Sequence, residues 1–268
     1  MNLVWHAKHI VGVAVPEKTM LAVVTGGSRG LGRELALALA REGYNLLVCA
    51  RGVKDLEIVE HEIVTLGVAC QVWAGDLTGL SGRDLRLFLE SNSVAVLINN
   101  AAAPPQLKPL EELTGSDYNR TFSLNFYIPF RLMQAAATGM KKRGSGAIVN
   151  ICSLSGRRAI RNVSCYSASK FALRGLTEAV AQELDGTGVH CFSVSPGGMR
   201  TSMRQNLFQD ADQQQDPAVV AEIIIDAIAG RIAVPQGGDL VIRGGAYAIV
   251  PRERWTGIKM GHGQGAPT

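Results

Sequence analysis

No apolar run in this chain reaches the ~18–20 residues that a membrane-crossing helix needs. The stretch Val11–Val15 is short and is closed by Pro16 and Glu17. Met1 to His9 carry only Lys8 as a full side-chain charge and show no clear small-residue cleavage site, so no secretory leader is expected. Cysteine is sparse: five residues, at 49, 70, 152, 165 and 191, an odd number without a CxxC pair. That spacing argues against a disulfide framework and against a cysteine-based metal site, and no metal is expected; reduced thiols in a cytoplasmic protein fit it. Charge of one sign is also missing. Lys plus Arg number 27 against 23 for Asp plus Glu, a net +4 over 268 residues with a pI near 8.9. So diffuse an excess forms no basic stripe, and neither a nucleic-acid partner nor a membrane is expected. Thirty glycines are present but have no period, which excludes collagen and repeat arrays.

What remains is a chain rich enough in apolar residues (47%) to bury a core, and too low in charge (19%) to be disordered. Seven β-rich runs appear, at Leu21–Thr25, Leu46–Cys49, Ala69–Trp73, Val94–Ile98, Ala147–Cys152, Val189–Val194 and Leu240–Ile242, most of them separated by segments of helical periodicity. Continuous apolar strands alternating with helices imply an α/β fold: a Rossmann-type, doubly wound parallel sheet of about seven strands with helices on both faces. No linker interrupts the pattern, so residues 19–250 read as one domain, preceded by an extension over 1–18 and followed by a tail over 251–268. Met20 is also a conceivable alternative start.

The first run enters Thr25-Gly26-Gly27-Ser28-Arg29-Gly30-Leu31-Gly32 and then a helical segment from Arg33 to Glu42 that Gly43 stops. Strand, glycine turn and helix form the context of a dinucleotide site: Gly26 permits the turn, Gly30 lets backbone N–H groups approach a pyrophosphate, and Gly32 allows close packing. The second run ends Val48-Cys49-Ala50-Arg51, without the acid that usually meets the ribose 2′-hydroxyl of NAD. Arg51, helped by Arg29, suits a 2′-phosphate instead, so NADP(H) is the expected cofactor.

Three further motifs follow in order: Asn99-Asn100-Ala101-Ala102 at the end of the fourth run, Tyr166-Ser167-Ala168-Ser169-Lys170, and Pro196-Gly197 after the sixth run with Met199 and Thr201 beyond it. Ser153 lies 13 residues before Tyr166, and Asn125 lies 28 before Ser153. With the TGxxxGxG loop, this set resembles the short-chain dehydrogenase/reductase family in its compact branch, most like the 3-oxoacyl-carrier-protein reductases, over about residues 20–250. The resemblance implies a catalytic set of Asn125, Ser153, Tyr166 and Lys170. It also implies cofactor contacts from Gly26, Ser28, Arg29, Gly30, Leu31, Gly32, Arg51, Asp76, Leu77, Asn99, Asn100, Ala101, Tyr166, Lys170, Pro196, Gly197, Met199 and Thr201. Asn125 would hold a water in a proton relay, and Lys170 would reach the nicotinamide ribose. Ala102 departs from the family's usual glycine, and the segment from Thr201 to Asp216 is shorter than its usual substrate lid.

Residues four apart share a helix face, so Lys170 should sit beside Tyr166. An ammonium ~4–5 Å from a phenolate stabilises it by roughly 3–4 kcal/mol at an effective dielectric of ~20, which would draw the tyrosine pKa down towards neutrality. Ser153 would polarise a carbonyl oxygen. The implied reaction is NADPH-dependent hydride transfer between nicotinamide and a carbonyl or alcohol carbon; the alternative is a non-catalytic NADP(H)-binding regulator. Arg157, Arg158 and Arg161, between Ser153 and Tyr166, read either as a solvated loop or as attractants for an acidic or carrier-attached substrate. The polar lid, with Met203, Leu207 and Phe208 as its apolar contacts, leaves the pocket open to bulky carbonyl compounds. Helices near Ser116–Lys142 and Ser164–Asp185 would pair across subunits in a homodimer or homotetramer, the second through Phe171, Leu173, Leu176, Val180 and Leu184.

Overall fold

The computed structural model describes residues 20–205 and 214–252. The expected extension over 1–18, the lid contacts Leu207 and Phe208 and the tail from 253 onward lie outside the described residues. Strands β1 (Leu21–Thr25), β2 (Asn45–Ala50), β3 (Cys70–Ala74), β4 (Val94–Asn99), β5 (Gly146–Ile151), β6 (Val189–Pro196), β7 (Asp239–Arg243) and β8 (Ala246–Val250) form one sheet in the order β3-β2-β1-β4-β5-β6-β7-β8. All pairs are parallel except β7 with β8. The strand order reverses between β1 and β4, and the crevice at that switch point is where open α/β sheets bind ligands.

The central strands are apolar on both faces because helices cover both. One face carries α1 (Gly30–Arg41), α2 (Val53–Thr65) and α8 (Pro217–Ile228), whose Leu35, Leu39, Leu56, Ile63 and Ile224 pack with Phe192 and Val194. The other carries α3 (Leu80–Ser91), α5 (Ile128–Arg143) and α6 (Ser164–Glu183), whose Leu85, Leu89, Leu132 and Ala181 pack with Leu47, Leu97 and Ile148. Ahead of α5, α4 (Gly115–Phe122) starts with a reciprocal Thr114–Asp117 capping box and runs into a π-helical turn, Ser123–Tyr127. A short helix, α7 (Ser202–Gln205), follows β6.

The sheet has eight strands, where about seven were expected. Gly244 and Gly245, at φ +61° and +77°, form a two-residue hairpin turn that returns the chain antiparallel along β7. Being an edge strand, β8 leaves Ala246–Ala248 exposed and lacks the continuous apolar pattern of its neighbours.

Phe192 is among the largest fully buried side chains, whereas Tyr247 on β8 is about half exposed. Phe192→Ala should therefore cost about 3–5 kcal/mol in urea unfolding, and Tyr247→Ala no more than about 1 kcal/mol. Equal losses would contradict this placement of the core.

Candidate active site

The functional residues gather at the carboxyl ends of β1, β4, β5 and β6. After β1 the chain turns through Gly26, at φ +66°, where an added Cβ would lie 2.9 Å from the Ala101 Cα. Gly30, at φ +55°, faces Thr201, whose Cγ2 would stand 3.2 Å from a Cβ there. A side chain at Gly30 would thus fill the cleft between the glycine loop and the segment after β6. At Gly32 a Cβ would meet the Gly26 carbonyl oxygen at 2.2 Å, so α1 packs directly on the loop. The extended residue Arg29 caps α1 without a side-chain bond, and the first turn of that helix carries no acid. Its N–H groups and positive dipole end are left to an anion. Donors, charge and space in this cradle suit a dinucleotide pyrophosphate.

Arg51 is exposed just past β2, close enough to Asp76 to help hold that carboxyl below its ordinary pKa, after the larger effect of the Thr78 backbone and hydroxyl hydrogen bonds. Asp76 Oδ1 accepts from the Thr78 N–H and hydroxyl at 2.9 and 2.8 Å. Leu77 is a buried core residue.

Ser153 and Tyr166 meet across the loop between β5 and α6. The Ser153 hydroxyl lies close enough to the Tyr166 phenol to act on its pKa and accepts from the Ser155 N–H at 3.1 Å. Lys170 is buried, donates from Nζ to the Ile151 carbonyl at 2.8 Å, and stands 5.8 Å from the centre of the Tyr166 ring. Burial pushes the Tyr166 pKa up to about 12, against the lowering effect of the Ser153 bond, and draws Lys170 down to about 8. A lowered tyrosine pKa was expected from the adjacent ammonium; the shift instead runs upward, with desolvation as its largest cause.

A family model described as short chain dehydrogenase matches residues 20–212. The chain belongs to the short-chain dehydrogenase family. It is 32% identical over 200 residues to the L-2,3-butanediol dehydrogenase of Corynebacterium glutamicum, covering 70% of this chain and 74% of the relative. The identity is also 32% over 200 residues to a 3-oxoacyl-[acyl-carrier-protein] reductase of Staphylococcus aureus, covering 73% and 81%. A solved variant of actinorhodin polyketide ketoreductase with NADPH superposes with a TM-score of 0.78 at 29% identity, covering 86% of this chain and 98% of that one.

Several side chains of this short-chain dehydrogenase point elsewhere than expected. Asn99 is buried and donates to Asn150 Oδ1 at 2.8 Å, and Asn150 donates on to Thr177 at 2.8 Å, a polar chain inside the core. Asn100 donates to the Thr25 and Gly26 carbonyls at 2.9 and 3.1 Å, so its side chain shapes the glycine loop. Asn125 sits in the π-helical turn with both polar atoms engaged. Its Oδ1 accepts from the Ala103 N–H at 2.7 Å, and its Nδ2 donates to Ser169 Oγ at 3.0 Å. One N–H of Nδ2 and one lone pair of Oδ1 remain for a further partner such as a water. Arg157 pairs with the buried Asp239 at 2.5 Å and is no free attractant, while Arg158 and Arg161 are exposed.

Sequence reasoning also missed Gln215. Its backbone bridges Met199, its N–H donates to the Gly198 carbonyl at 3.0 Å, its carbonyl accepts from the Arg200 N–H at 3.0 Å, and its side chain reaches the Ile242 carbonyl at 3.3 Å. With the Arg200–Asp216 pair at 2.6 Å, this ties residues 198–200 to residues 215 and 216 just past Pro196-Gly197. As the last of three consecutive glutamines it carried no distinguishing signal.

The buried lysine has a consequence for stability. With Lys170 near 8 in the folded chain against 10.5 unfolded, the unfolded state binds the extra proton between those values, so this residue makes stability rise with pH across that window and withholds the gain below it. Tyr166 acts in the opposite sense only above pH 10. Lys170→Met should flatten the rise in melting temperature between pH 8 and 10. An unchanged slope in that variant would refute the buried-ammonium reading.

Proposed function

We propose that this short-chain dehydrogenase is an NADPH-dependent carbonyl reductase in which Tyr166 is the general acid and base. The observation that carries the reading is a buried Lys170 tied to the end of β5, with Ser153 and Tyr166 close together beside it, at the same end of the sheet as an uncapped helix N-terminus. Bound NADPH supplies the hydride. Gly26, Gly30 and the first turn of α1 would cradle its pyrophosphate, with Ser28, Leu31 and Gly32 shaping the loop, and Arg29 and Arg51 would take the 2′-phosphate. Ala101, Pro196, Gly197, Met199 and Thr201 would line the nicotinamide end. Ser153 orients the carbonyl oxygen, and the Tyr166 phenol, which holds its proton at neutral pH, delivers it to that oxygen. Lys170 remains cationic below about 8 and steadies negative charge growing on that oxygen.

The substrate in this reading is a small-molecule or carrier-attached ketone, supported by the likeness to a carrier-protein reductase and a ketoreductase. Assembly as a homodimer or homotetramer is supported by Tyr127, Phe130 and Phe171, which stay partly exposed on or beside α5 and α6. Leu173 and Leu184 are buried within the subunit and leave the expected interface set. Five free cysteines, three of them buried, suit a reducing cytoplasm.

Tyr166→Phe should leave NADPH binding within about threefold and lower kcat for ketone reduction at least ~100-fold, read by NADPH absorbance. A parent protein that binds NADPH yet reduces no ketone in a broad panel would instead support the regulatory alternative. Arg51→Asp should weaken NADPH about 10–100-fold and spare NADH, since a charge-assisted phosphate contact is lost and a repulsion gained; equal affinities in parent and variant, by nicotinamide fluorescence, would sink the cofactor assignment.

A further inference from the structure

We propose that the Arg157–Asp239 ion pair is a positioning device that registers the Ser153 turn to the sheet. The role rests on the carbonyl-reductase reading above. Asp239 opens β7 with a side chain only 4% exposed. Its place is set by register, since it lies opposite Ser193 of β6. Its carboxylate accepts from Ser193 Oγ at 2.8 Å and from Ser195 Oγ at 3.0 and 2.8 Å, and from Arg157 at 2.5 Å. A buried carboxylate needs this many donors to remain charged. The two hydroxyls come from the rigid sheet. The guanidinium alone comes from the loop.

Arg157 ends the turn that Ser153 begins. The Ser153 carbonyl accepts from the Gly156 N–H at 2.8 Å, and the Leu154 carbonyl accepts from the Arg157 and Arg158 N–H groups at 3.0 and 2.9 Å. On its near side the turn is tied by the Cys152 N–H donating to the Val194 carbonyl at 2.7 Å, between the two serines that hold Asp239. Its middle is seated on α6: a Cβ at Gly156 would lie 2.9 Å from the Lys170 carbonyl carbon. The far end is held by Arg157. Ser153 therefore sits on a five-residue turn pinned at both ends to β6 and β7, while its hydroxyl partner Tyr166 comes from α6. A small slide of the turn would separate the two hydroxyls without disturbing the glycine loop.

The test uses the full chain and three variants, Arg157→Ala, Arg157→Lys and Asp239→Asn. The last keeps a side chain of similar size between Ser193 and Ser195, and it carries the comparison if Arg157→Ala does not fold. Two readouts are taken: steady-state ketone reduction, and amide hydrogen exchange of the peptide spanning 153–158. Arg157→Ala and Asp239→Asn should lower kcat about 10–100-fold, the scale of a small misplacement of a reacting group. They should leave the KM for NADPH within about threefold and raise exchange in 153–158 about tenfold or more with little change elsewhere. Arg157→Lys, which keeps the charge but not the fork, should recover part of both. A general stability loss with kcat retained overturns the proposal, as does unchanged exchange in the turn. If the parent reduces no ketone, the carbonyl-reductase reading fails by itself, and the exchange of 153–158 still decides whether the pair holds the turn.

Discussion

The site depends on one buried charge. The Lys170 ammonium, removed from water, has the Ile151 carbonyl at 2.8 Å as its hydrogen-bond acceptor. That bond joins the first turns of α6, which carry Tyr166, to the end of β5, two residues before Ser153. Burying an ammonium is costly unless it is met by a well-placed acceptor, so the helix has little freedom to rotate or slide. Gly156 reinforces the constraint, because only a residue without a Cβ lets the loop rest on the Lys170 backbone. Asn125 adds a third direction through Ser169, whose hydroxyl donates to the Tyr166 carbonyl at 2.7 Å.

A second set of ties holds the nucleotide side of the crevice. Thr25 Oγ1 accepts from the Asn100 and Ala101 N–H groups at 3.0 and 3.1 Å, while the Asn100 amide spans the Thr25 and Gly26 carbonyls. The end of β4 thereby moulds the loop after β1, at the point where the strand order reverses. The asparagines here act through backbone shape. A rigid crevice edge, more than any single side-chain contact, is what an uncapped helix N-terminus needs to present its N–H groups to an anion.

Much of this was legible in the residues themselves. The parallel strands betrayed themselves by unbroken apolar runs, and the glycine loop by its place between strand and helix. Tyr166, Lys170, Ser153 and Asn125 were marked by the resemblance to the family, and the fold brings them to one end of the sheet. Other features lay beyond pattern reading for definite reasons. β8 is an edge strand, half exposed, without the unbroken apolar run that marks its neighbours. Asp239 and Arg157 are 82 residues apart and meet only because β7 lies beside β6. Asn99 and Asn100 are adjacent, yet one turns into the core and the other onto the loop, a choice made by which side of β4 each faces.

The protonation of the site shows most clearly where local reasoning stops. A Coulomb argument between Tyr166 and Lys170 treats their surroundings as a uniform, partly aqueous medium, and on that footing an ammonium ~4–5 Å away pulls the phenol towards its anion. In the folded chain the ammonium is 5.8 Å from the ring centre and bonded to a backbone carbonyl. Both groups have lost much of their hydration, and loss of hydration favours the neutral form of each, raising the tyrosine and lowering the lysine. The same burial that fixes the geometry therefore shifts both proton affinities: the phenol holds its proton more firmly, and the lysine is drawn down to about 8. Sequence spacing identifies the pair. Only packing around α6 decides in which direction each pKa moves, and that packing is the work of Gly156, Ile151 and Ser169 as much as of the pair itself.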